Sequence, residues 1–576
     1  MEFNLVDDDW LPVVFTDGSA GEVSLREVLV RAREVRSLAL DVPSQVPPVV
    51  RLLLAIVHSA LDGPVDEKQW QTWWDKAAFN ERLINSYLDE HRSRFGLFDA
   101  TAPFMQSGGL QALNGKTKTA ALLVPHVASG NNVPLFSAER DARPDALSPA
   151  QAARWLLHAH AWDTAAIKTG AVGDEKAKAG KTTGNPVGAL GQLGVIMPMG
   201  PTLWHTLMCN LLPTGATTGA EGDLPVWERP PLSGQWAERM PKGRLDLYTW
   251  PARRIRLIPE PDAELPGGIA VRQVVVCAGD RIALSTGQEL RGWMSSEPHS
   301  SWKRSENLER KRKFPLVYWP VRHRVERQLW RGLAPLLARA ELPSTTAARD
   351  APTLRGPAML AQLGTRERLS ALKGMPLRVL AVGFEYGNQS AVIDEAYGDE
   401  LPLPIAVFSA QDDDWRDAVL DAVAAAEGAV RALAYLAENL AVASGCRRSE
   451  EGLLAGHRER ARETAYAELD APFRRWLSSL TDDDADPDEA LDRWAREVRQ
   501  IIRGQARELL ASTSPAAFHG QVSGEGDDAQ VMDAFLAEIF FHRALHKALR
   551  ELFTESDAGD DTDGPDDDPT DLENPE

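Results

Sequence analysis

Apolar residues in the last third of the chain recur with a helical period. Alternating spacings of four and three residues connect Val419, Val423, Ala426, Val430, Leu433, Ala437 and Leu440. A period of about 3.5 residues is typical of helices that pack side by side. Three more helical stretches follow, at approximately 451–480, 487–512 and 527–554. Four helices with apolar stripes and short connections predict an antiparallel four-helix bundle.

The first 404 residues have a different pattern, in which short apolar runs are broken by glycine and proline. The run 51–57 predicts a helix, whereas 270–277 and 378–382 are short and rich in β-branched residues, which predicts strands. Two glycine-containing segments, 115–149 and 169–200, exceed the usual length of connecting loops. Segments of this kind often bind a ligand.

These patterns together predict an α+β protein. We expect an irregular mixed α/β domain over 1–404, an all-α four-helix bundle over 405–556 and a disordered acidic tail over 557–576. The tail holds ten acidic residues and no basic one. It also contains too few apolar residues to bury a core.

Charge is distributed unevenly along the chain. The net charge is −21, which by itself argues against a nucleic-acid ligand. Between 302 and 331, however, there are ten bases and three acids, with aromatic residues such as Trp319 among them. This composition suits phosphate contact and base stacking, although a run of charge is more often only a solvated surface. The candidate contacts with a DNA backbone are Lys168, Lys303, Arg304, Arg310, Lys311, Arg312 and Lys313.

Short-range features argue against several classes of protein. The N-terminus is acidic where a signal peptide needs positive charge, and no stretch approaches 18 uninterrupted apolar residues. The three cysteines are too far apart for a CxxC-type metal site. Glu538, His542 and His546 would share a helix face as metal ligands can, but a solvated face is the simpler interpretation. We therefore expect a cytoplasmic protein with no membrane span, metal or cofactor.

Residues 179–183 (AGKTT) resemble the end of a phosphate-binding P-loop. The pattern requires a glycine where Glu175 stands, and it requires a helix where Gly184 and Pro186 follow. A mobile loop with lysines available for phosphate contact is the favoured interpretation. A P-loop-like nucleotide hydrolase remains the alternative hypothesis for an enzyme.

A glycine-punctuated turn follows the predicted strand at 378–382. Residues 383–390 (GFEYGNQS) would present Asn388 and Gln389 at a tip. Side-chain amides at a tip can donate to and accept from base edges. A polar hairpin tip without a ligand fits the same pattern.

Several of these features occur in the same order in one known family. The chain resembles the large subunit of the type I-E CRISPR surveillance complex, called CasA in Cascade, over nearly its whole length. The segments that carry the resemblance are NLVD at 4–7, WLPV at 10–13, APFMQ at 102–106, the long glycine loops, GNQS at 387–390 and the C-terminal bundle.

The resemblance implies a non-catalytic protein that recognises the protospacer-adjacent motif (PAM) of duplex DNA through the minor groove and wedges the duplex open to start R-loop formation. The family's glutamine wedge corresponds to Asn388, Gln389 and Ser390, with Gln389 displacing a base. Its glycine loop corresponds to Thr169, Gly170, Ala171, Val172 and Gly173. The lack of large side chains there would let the backbone approach the groove.

Two further elements follow from the resemblance. No lysine stands between Cys277 and Trp302, so the equivalent of the family's lysine finger is either Arg281 or Arg291, or the element is displaced to another part of the chain. The loop that contacts the 5′ handle of the CRISPR RNA corresponds to 129–137. Its expected contacts are Asn131, Asn132 and Phe136.

The resemblance also implies partners. These are double-stranded target DNA, the CRISPR RNA 5′ handle, the backbone, handle-binding and small subunits of Cascade, and the helicase-nuclease that degrades the target. It implies no catalytic residue and no cofactor. A purely structural subunit that bridges other proteins remains a second alternative.

Overall fold

A computed structural model of the chain describes residues 1–127, 146–213, 222–340, 351–480, 486–523 and 530–550. The chain divides into two compact units, Met1–Arg416 and Asp417–Glu576. The first, here called unit 1, mixes helices with small sheets, and the second, unit 2, consists mainly of helices. The predicted fold class is therefore confirmed.

Most helices of unit 1 are short. In chain order they are α1 (Leu25–Val30), α2 (Val46–Leu61), α3 (Glu67–Lys76), α4 (Glu81–His91), α5 (Pro149–Trp162), α6 (Leu203–Asn210), α7 (Arg244–Tyr248), α8 (Gly287–Ser296), α9 (Glu306–Arg312), α10 (Leu333–Leu337), α11 (Ala358–Ala361) and α12 (Arg366–Leu372). Many begin at a polar side chain that accepts a hydrogen bond from a backbone N–H of the first turn. These N-caps are Ser24, Asp66, Asn80, Ser148, Thr202, Thr286 and Ser305. Local sequence thus determines where these helices start.

The strands of unit 1 form several small sheets. In chain order they are β1 (Leu11–Phe15), β2 (Ala20–Val23), β3 (Val35–Leu38), β4 (Lys118–Thr119), β5 (Lys168–Thr169), β6 (Lys181–Thr182), β7 (Val195–Met199), β8 (Glu238–Arg239), β9 (Arg253–Pro261), β10 (Ile269–Ala278), β11 (Arg281–Ile282), β12 (Trp302–Arg304), β13 (Tyr318–Pro320), β14 (Leu354–Arg355), β15 (Arg378–Tyr386) and β16 (Ile393–Pro402). The strands predicted at 270–277 and 378–382 are confirmed as parts of β10 and β15.

Two of these sheets position the candidate site. In one, the central strand β10 pairs with β4, β5 and β9, and β6 follows β5. In the other, β15 lies between β16 and β7, with every pair antiparallel. The remaining pairings are β2–β1–β3, β13–β12–β14 and β11–β8.

Helix α2 runs through the core of unit 1, and it confirms the helix predicted at 51–57. Among the described residues, Pro43–Leu61 is the one helical stretch long and apolar enough by composition to cross a membrane. Its most apolar window is 78% buried inside the molecule. Arg51 on this helix forms a buried ion pair with Glu297. An apolar helix covered by its own protein is typical of a core element.

The helical period predicted for the C-terminal region is confirmed. Its long helices are α13 (Asp414–Ala443), α14 (Glu451–Ser479), α15 (Pro487–Ser512) and α17 (Ala534–Arg550), with the short α16 (Ala516–His519) before the last. The indole of Trp494 on α15 donates to the Ala422 carbonyl of α13 at 2.9 Å. A Cβ on Gly428 of α13 would lie 2.9 Å from the Cβ of Ala548 on α17. The helices therefore pack closely enough to exclude a methyl group.

The last helix begins later than the predicted residue 527, so that prediction was wrong. Strand β17 (Gln521–Ser523) pairs with β18 (Gln530–Met532) in an antiparallel hairpin, and α17 starts only after Asp533. The Asp533 carboxylate accepts a hydrogen bond from the Leu536 N–H at 2.7 Å, as an N-cap does. Pairing between two separate segments leaves no trace in helical periodicity, which is why the sequence pattern overextended the helix.

Candidate nucleic-acid interface

The turn between β15 and β16, here called the wedge turn (387–391), is tight and strained. The N–H groups of Ser390 and Ala391 each donate to the carbonyl three residues earlier, at 2.8 and 3.0 Å. Gln389 and Ser390 adopt left-handed φ angles of 54° and 55°, which cost a non-glycine residue about 1–2 kcal/mol each. Strain of this kind persists only where the surrounding structure imposes it, and it is frequent at binding sites.

Side chains at the tip of the wedge turn face solvent. Asn388 and Gln389 are exposed, and Ser390 is half-buried. Each amide offers both donor hydrogens and an accepting oxygen to a base edge. A Cβ on Gly387, at the base of the turn, would lie 2.4 Å from the carboxylate oxygens of Asp394, so a larger residue there would displace that exposed side chain. The structure thus presents two adjacent amides on a backbone that packing holds in place.

Two hydrogen bonds attach the wedge turn to the segment that follows α5. The N–H of Ala165 donates to the Ser390 carbonyl at 2.7 Å, and the Tyr386 hydroxyl donates to the Trp162 carbonyl at 2.7 Å. Burial raises the pKa of Tyr386, so its hydroxyl stays protonated as a donor. Ala165 precedes Thr169 by four residues, and a chain of that length spans at most about 14 Å. The wedge turn therefore lies close to the start of the glycine loop.

The glycine loop is the segment Thr169–Gly173. Its first part, formed by Gly170 and Ala171, is buried. The Gly170 N–H donates to the Gly180 carbonyl at 2.9 Å, and the Gly170 carbonyl accepts from the Leu113 N–H at 2.8 Å. A Cβ on Gly170 would come within 2.6 Å of the Cβ of Ala177. Ala171 is 1% exposed and belongs to a small apolar cluster. Small residues are required at these two positions by packing inside the protein.

The second part of the glycine loop is accessible. Val172 is 54% exposed, and Gly173 is exposed with a left-handed φ of 85° and open space where a Cβ would stand. Thr169 is half-buried. A groove of DNA could therefore approach the backbone at Gly173, but not at Gly170.

A buried cluster of charged side chains fixes the segment 163–168, which connects the contact with the wedge turn to the glycine loop. Lys168 Nζ lies 2.6 Å from the Asp163 carboxylate. Arg253 donates to the same carboxylate and to the carbonyls of Thr164 and Pro186, both at 2.8 Å. Burial acts to raise the pKa of Asp163, but the two cations lower it to about 2. Only 8% of the Lys168 side chain is exposed, and this argues against the predicted contact between Lys168 and a phosphate.

Arg281 lies on β11, next to the glycine loop. Its guanidinium carbon is 3.8 Å from the centroid of the Trp236 ring, and its Nη2 donates to the Thr183 carbonyl at 2.8 Å and to Asn185 Oδ1 at 3.1 Å. Lys176 Nζ lies 4.0 Å from the centroid of the same ring. Two cations therefore share one indole, an arrangement worth about 0.5–2 kcal/mol for each cation. Burial lowers the pKa of Arg281.

Arg291, the second candidate for the basic finger, serves a different part of unit 1. It lies on α8, where its guanidinium carbon is 4.7 Å from the centroid of the Phe314 ring. Its Nη2 donates to the Pro315 carbonyl at 2.9 Å. These contacts brace the chain that follows α9. Of the two arginines, only Arg281 has contacts with the segment around the glycine loop.

The predicted backbone-contacting bases between 303 and 313 divide into two groups. Four of them are exposed: Lys303, Arg310, Lys311 and Lys313. The three arginines have hydrogen-bonding partners within unit 1: Arg304 with Glu309 at 2.8 Å, Arg310 with Asn307 at 2.5 Å, and Arg312 with the Leu284 carbonyl at 3.2 Å. The lysines are therefore the better placed of the six to contact a phosphate.

Residues 179–183 do not form a P-loop. Ala179 and Gly180 adopt left-handed φ angles of 49° and 73°, and Lys181–Thr182 then pairs with β5 as an antiparallel strand. A P-loop needs a helix at this point, whose N-terminus faces the phosphate. The segment is instead the turn of the β5–β6 hairpin.

Other predicted features have no counterpart in the described residues. The handle-loop residues Asn131, Asn132 and Phe136 lie outside the ranges that the structure describes. Within those ranges no group of three or more histidine, cysteine, aspartate and glutamate side chains is arranged to hold a metal ion. His542 faces Glu538, with Nε2 at 3.6 Å from the carboxylate, on the exposed side of α17.

Arg253 and Trp236 are the parts of the site that the sequence does not single out. Arg253 is 1% exposed. Its guanidinium donates to the carbonyls of Thr164 and Pro186, which lie in the segments before and after the glycine loop. The only hint in the sequence is the pair Arg253-Arg254 at the start of an apolar strand. Trp236 lies in a glycine- and proline-rich stretch without periodicity, and nothing local marks it as the platform for two cations.

Comparisons with known proteins give a consistent result. Residues 4–505 match the family model described as CRISPR-associated protein Cse1. The crystal structure of CRISPR-associated protein Cse1 from Acidimicrobium ferrooxidans has a TM-score of 0.81 and 33% sequence identity, covering 96% of this chain and 99% of that chain. The CRISPR-associated protein CasA/Cse1 of Thermus thermophilus is 35% identical over 266 residues, which are 45% of this chain and 50% of the relative. The match thus spans half the length of that curated relative.

A more distant structure shares the fold. A chain of a structure described as a CRISPR RNA-guided surveillance complex has a TM-score of 0.59 at 20% identity, covering 88% of this chain and 99% of that chain. At this identity the likeness concerns the fold alone.

Proposed function

The chain belongs to the CRISPR-associated protein Cse1 family, and on that premise we propose that it is the non-catalytic large subunit of a type I-E Cascade complex. In this function it recognises the PAM of duplex DNA through the minor groove and wedges the duplex open to start R-loop formation. It also helps to recruit the helicase-nuclease that degrades the target. It acts in the cytoplasm, as a subunit of a ribonucleoprotein complex.

One observation carries this proposal. The wedge turn presents the exposed amides of Asn388 and Gln389 on a strained backbone, and the Ser390 carbonyl is bonded to Ala165, four residues before the glycine loop. A protein that must open a duplex beside the motif it recognises needs these two elements at a fixed separation. The buried cluster of Lys168, Asp163 and Arg253 supplies the rigidity.

The glycine loop fits the minor groove in size and chemistry. That groove is only about 6 Å wide and offers a degenerate pattern of donors and acceptors. Gly173 is exposed and has no side chain, so its backbone can enter a narrow groove. Arg281 supplies a positive charge next to the loop, which suits the negative potential of the groove. A few backbone contacts discriminate weakly, and we expect the chain to tolerate several PAM sequences.

The wedge turn fits a base-displacing role. Inserting a side chain between base steps costs a few kcal/mol of unstacking. In an R-loop this cost is recovered as the guide RNA pairs with the opened strand. Gln389 is exposed and its backbone is already in a fixed left-handed conformation, so its insertion needs no further ordering of the backbone.

The remaining partners follow from the proposed complex. Asn131, Asn132 and Phe136 would contact the 5′ handle of the CRISPR RNA, unit 1 would offer a docking surface to the helicase-nuclease, and unit 2 would meet the small subunits. Lys303, Lys311 and Lys313 are the proposed contacts with the DNA backbone. Each phosphate contact contributes about 0.9 to the slope of log affinity against log salt. Their charge reversal should therefore make the salt dependence shallower.

The test uses assembled complexes with and without this chain, and duplexes that differ only in the PAM. We expect the complete complex to bind a duplex with the PAM at least about ten-fold more tightly than a duplex in which the PAM is altered. A difference of this size corresponds to the loss of one or two specific contacts. The complex without this chain should bind both equally. PAM-independent binding by the complete complex would instead favour a purely structural bridging subunit. ATP turnover by the isolated chain, abolished by Lys181→Ala, would favour the nucleotide hydrolase.

A further inference from the structure

Unit 1 contains a second positively charged feature, a cleft of about 1160 Å³ beside β12 and β13, here called the basic cleft. The bases that line it are Lys303, Arg304, Arg322, Arg324, Arg327 and Arg331. Among the described residues that line it, none is an aspartate or glutamate. Two nearby carboxylates are already engaged, since Glu309 pairs with Arg304 at 2.8 Å and Asp399 accepts from the Leu329 N–H at 2.9 Å. The lining therefore carries an excess of positive charge in an acidic protein.

The chain after β13 lines the cleft with two arginines, one on either side of a histidine that packs against the protein. His323 lies inward, with Nε2 3.2 Å from the Val195 carbonyl and its ring stacked on Tyr397 at 4.9 Å between centroids. Arg322 and Arg324, on either side of it, are exposed. Two exposed arginines at a spacing of two residues on one wall can contact successive phosphates of an extended strand.

An aromatic side chain stands among these charges. Trp319 is 36% exposed, whereas its neighbours Tyr318 and Pro320 are buried. Trp293 contacts the Trp319 ring edge to face at 6.1 Å between centroids, which supports it from one side. A base can stack on an exposed indole only when it is not stacked within a duplex. Aromatic side chains that stack on bases and positive charge that contacts phosphates are together the features by which proteins hold single strands.

The basic cleft is continuous with the sheet that carries the wedge turn. Tyr397, which lines the cleft, lies on β16, four residues after the Ile393 with which this strand begins. At about 3.3 Å per residue this separation is roughly 13 Å. A second connection lies beside β7 of the same sheet. There the N–H of Gly194, the residue before β7, donates to the carbonyl of the cleft residue Val321 at 3.1 Å. A DNA strand that leaves the duplex at the wedge turn would therefore reach the basic cleft within a few nucleotides.

We propose that the basic cleft binds single-stranded DNA, with its phosphates on Arg322 and Arg324 and a base stacked on Trp319. The ligand is the strand that the wedge turn displaces, and to that extent the inference rests on the proposed function. Holding the displaced strand would oppose re-annealing while the guide pairs with the other strand.

The test measures fluorescence anisotropy of a labelled oligothymidine strand, and of a duplex of equal length, on titration with the full chain at several salt concentrations. We expect Arg322→Glu with Arg324→Glu to lower affinity for the single strand at least about ten-fold and to reduce the salt slope by about 1.4, the loss of two phosphate contacts. Trp319→Ala should lower single-strand affinity at least about five-fold and leave duplex affinity within about two-fold. Trp319→Phe should restore most of the loss.

The matched control is Lys68→Glu with Arg366→Glu, which makes the same change of charge at two exposed residues of α3 and α12. Equal losses in the control and the cleft variant would overturn the proposal, because net charge alone would then explain the effect. Equal losses of single-strand and duplex affinity in Trp319→Ala, or no binding of oligothymidine by the unaltered chain at low salt, would also overturn it. Oligothymidine contains no PAM, so failure of PAM discrimination would refute the proposed function without changing this result.

Discussion

The wedge turn and the glycine loop are proposed to contact the same duplex, yet opposite constraints shape them. At Gly170 the protein leaves no room for a Cβ, which would lie 2.6 Å from Ala177. At Gln389 and Ser390 the protein imposes a left-handed backbone on residues that have side chains. Gly170 therefore lacks a side chain because packing excludes one, whereas Gln389 and Ser390 keep their side chains despite the cost in strain.

This contrast teaches which positions report on DNA and which report on folding. Val172 and Gly173 are the exposed positions of the glycine loop, and Asn388 and Gln389 are those of the wedge turn. Substitutions at Val172, Asn388 and Gln389 should alter recognition while leaving packing intact. Any side chain at Gly173, by contrast, would strain the backbone because φ is 85° there. A substitution at Gly170 should alter packing first, and any effect on DNA should follow from that.

The largest effect is expected for Gly170→Val. Overpacking of this kind costs roughly 1–3 kcal/mol, and it should open the contacts of Gly170 with Leu113 and Gly180. Hydrogen exchange in the peptides covering 110–115 and 168–182 should accelerate by about five- to hundred-fold. Val172→Ala is the control, because the Val172 side chain is 54% exposed and its removal leaves the backbone conformation unchanged. Similar acceleration in both variants would contradict the distinction between the two halves of the loop.

A smaller effect is expected for Trp236→Ala, which removes the ring that Arg281 and Lys176 share. Each cation–π contact is worth about 0.5–2 kcal/mol, so Arg281 should lose its fixed position next to the glycine loop. PAM-dependent binding by the assembled complex should weaken by about three- to ten-fold, and Trp236→Phe should restore most of it. Unchanged binding in Trp236→Ala would show that the glycine loop needs no support from this indole.

The smallest effect is expected for Ser390→Gly. Glycine adopts a φ of 55° without steric penalty, although it also gains entropy in the unfolded chain. We expect a net gain of about 0.5 kcal/mol in the free energy of unfolding of unit 1, seen as a rise of roughly 1 °C in its thermal transition. A fall in the transition temperature would show that the Ser390 side chain stabilises the turn by more than its backbone strain.

The parts of the fold that local sequence determines were predictable. The apolar repeat from Val419 to Leu440 predicts α13 because one helix face must be buried, and the glycine at 387 marks the wedge turn because it sits between two pairing strands. The start of α17 could not be predicted in this way, since the β17–β18 pairing joins segments that are separate in sequence.

The candidate site depends more on distant contacts. Lys168 pairs with the Asp163 carboxylate, which also accepts from Arg253, 90 residues further along the chain. The position of Arg281 results from Trp236 and from Thr183, 98 residues away. No spacing rule along the chain reveals such contacts, so the sequence predicted Lys168 as a phosphate ligand and could not choose between Arg281 and Arg291.

The central claim is that the wedge turn opens the duplex. Its most direct test compares R-loop formation by the assembled complex on a closed duplex and on a duplex already melted beside the PAM, for the unaltered chain and for Asn388→Ala with Gln389→Ala. Glu395→Ala, an exposed change on β16 of the same hairpin, is the control. We predict that the double variant slows R-loop formation at least about ten-fold on the closed duplex and leaves the rate on the melted duplex unchanged. A ten-fold change in rate corresponds to part of the free energy of unstacking one base step. An equal loss on both substrates would contradict the claim.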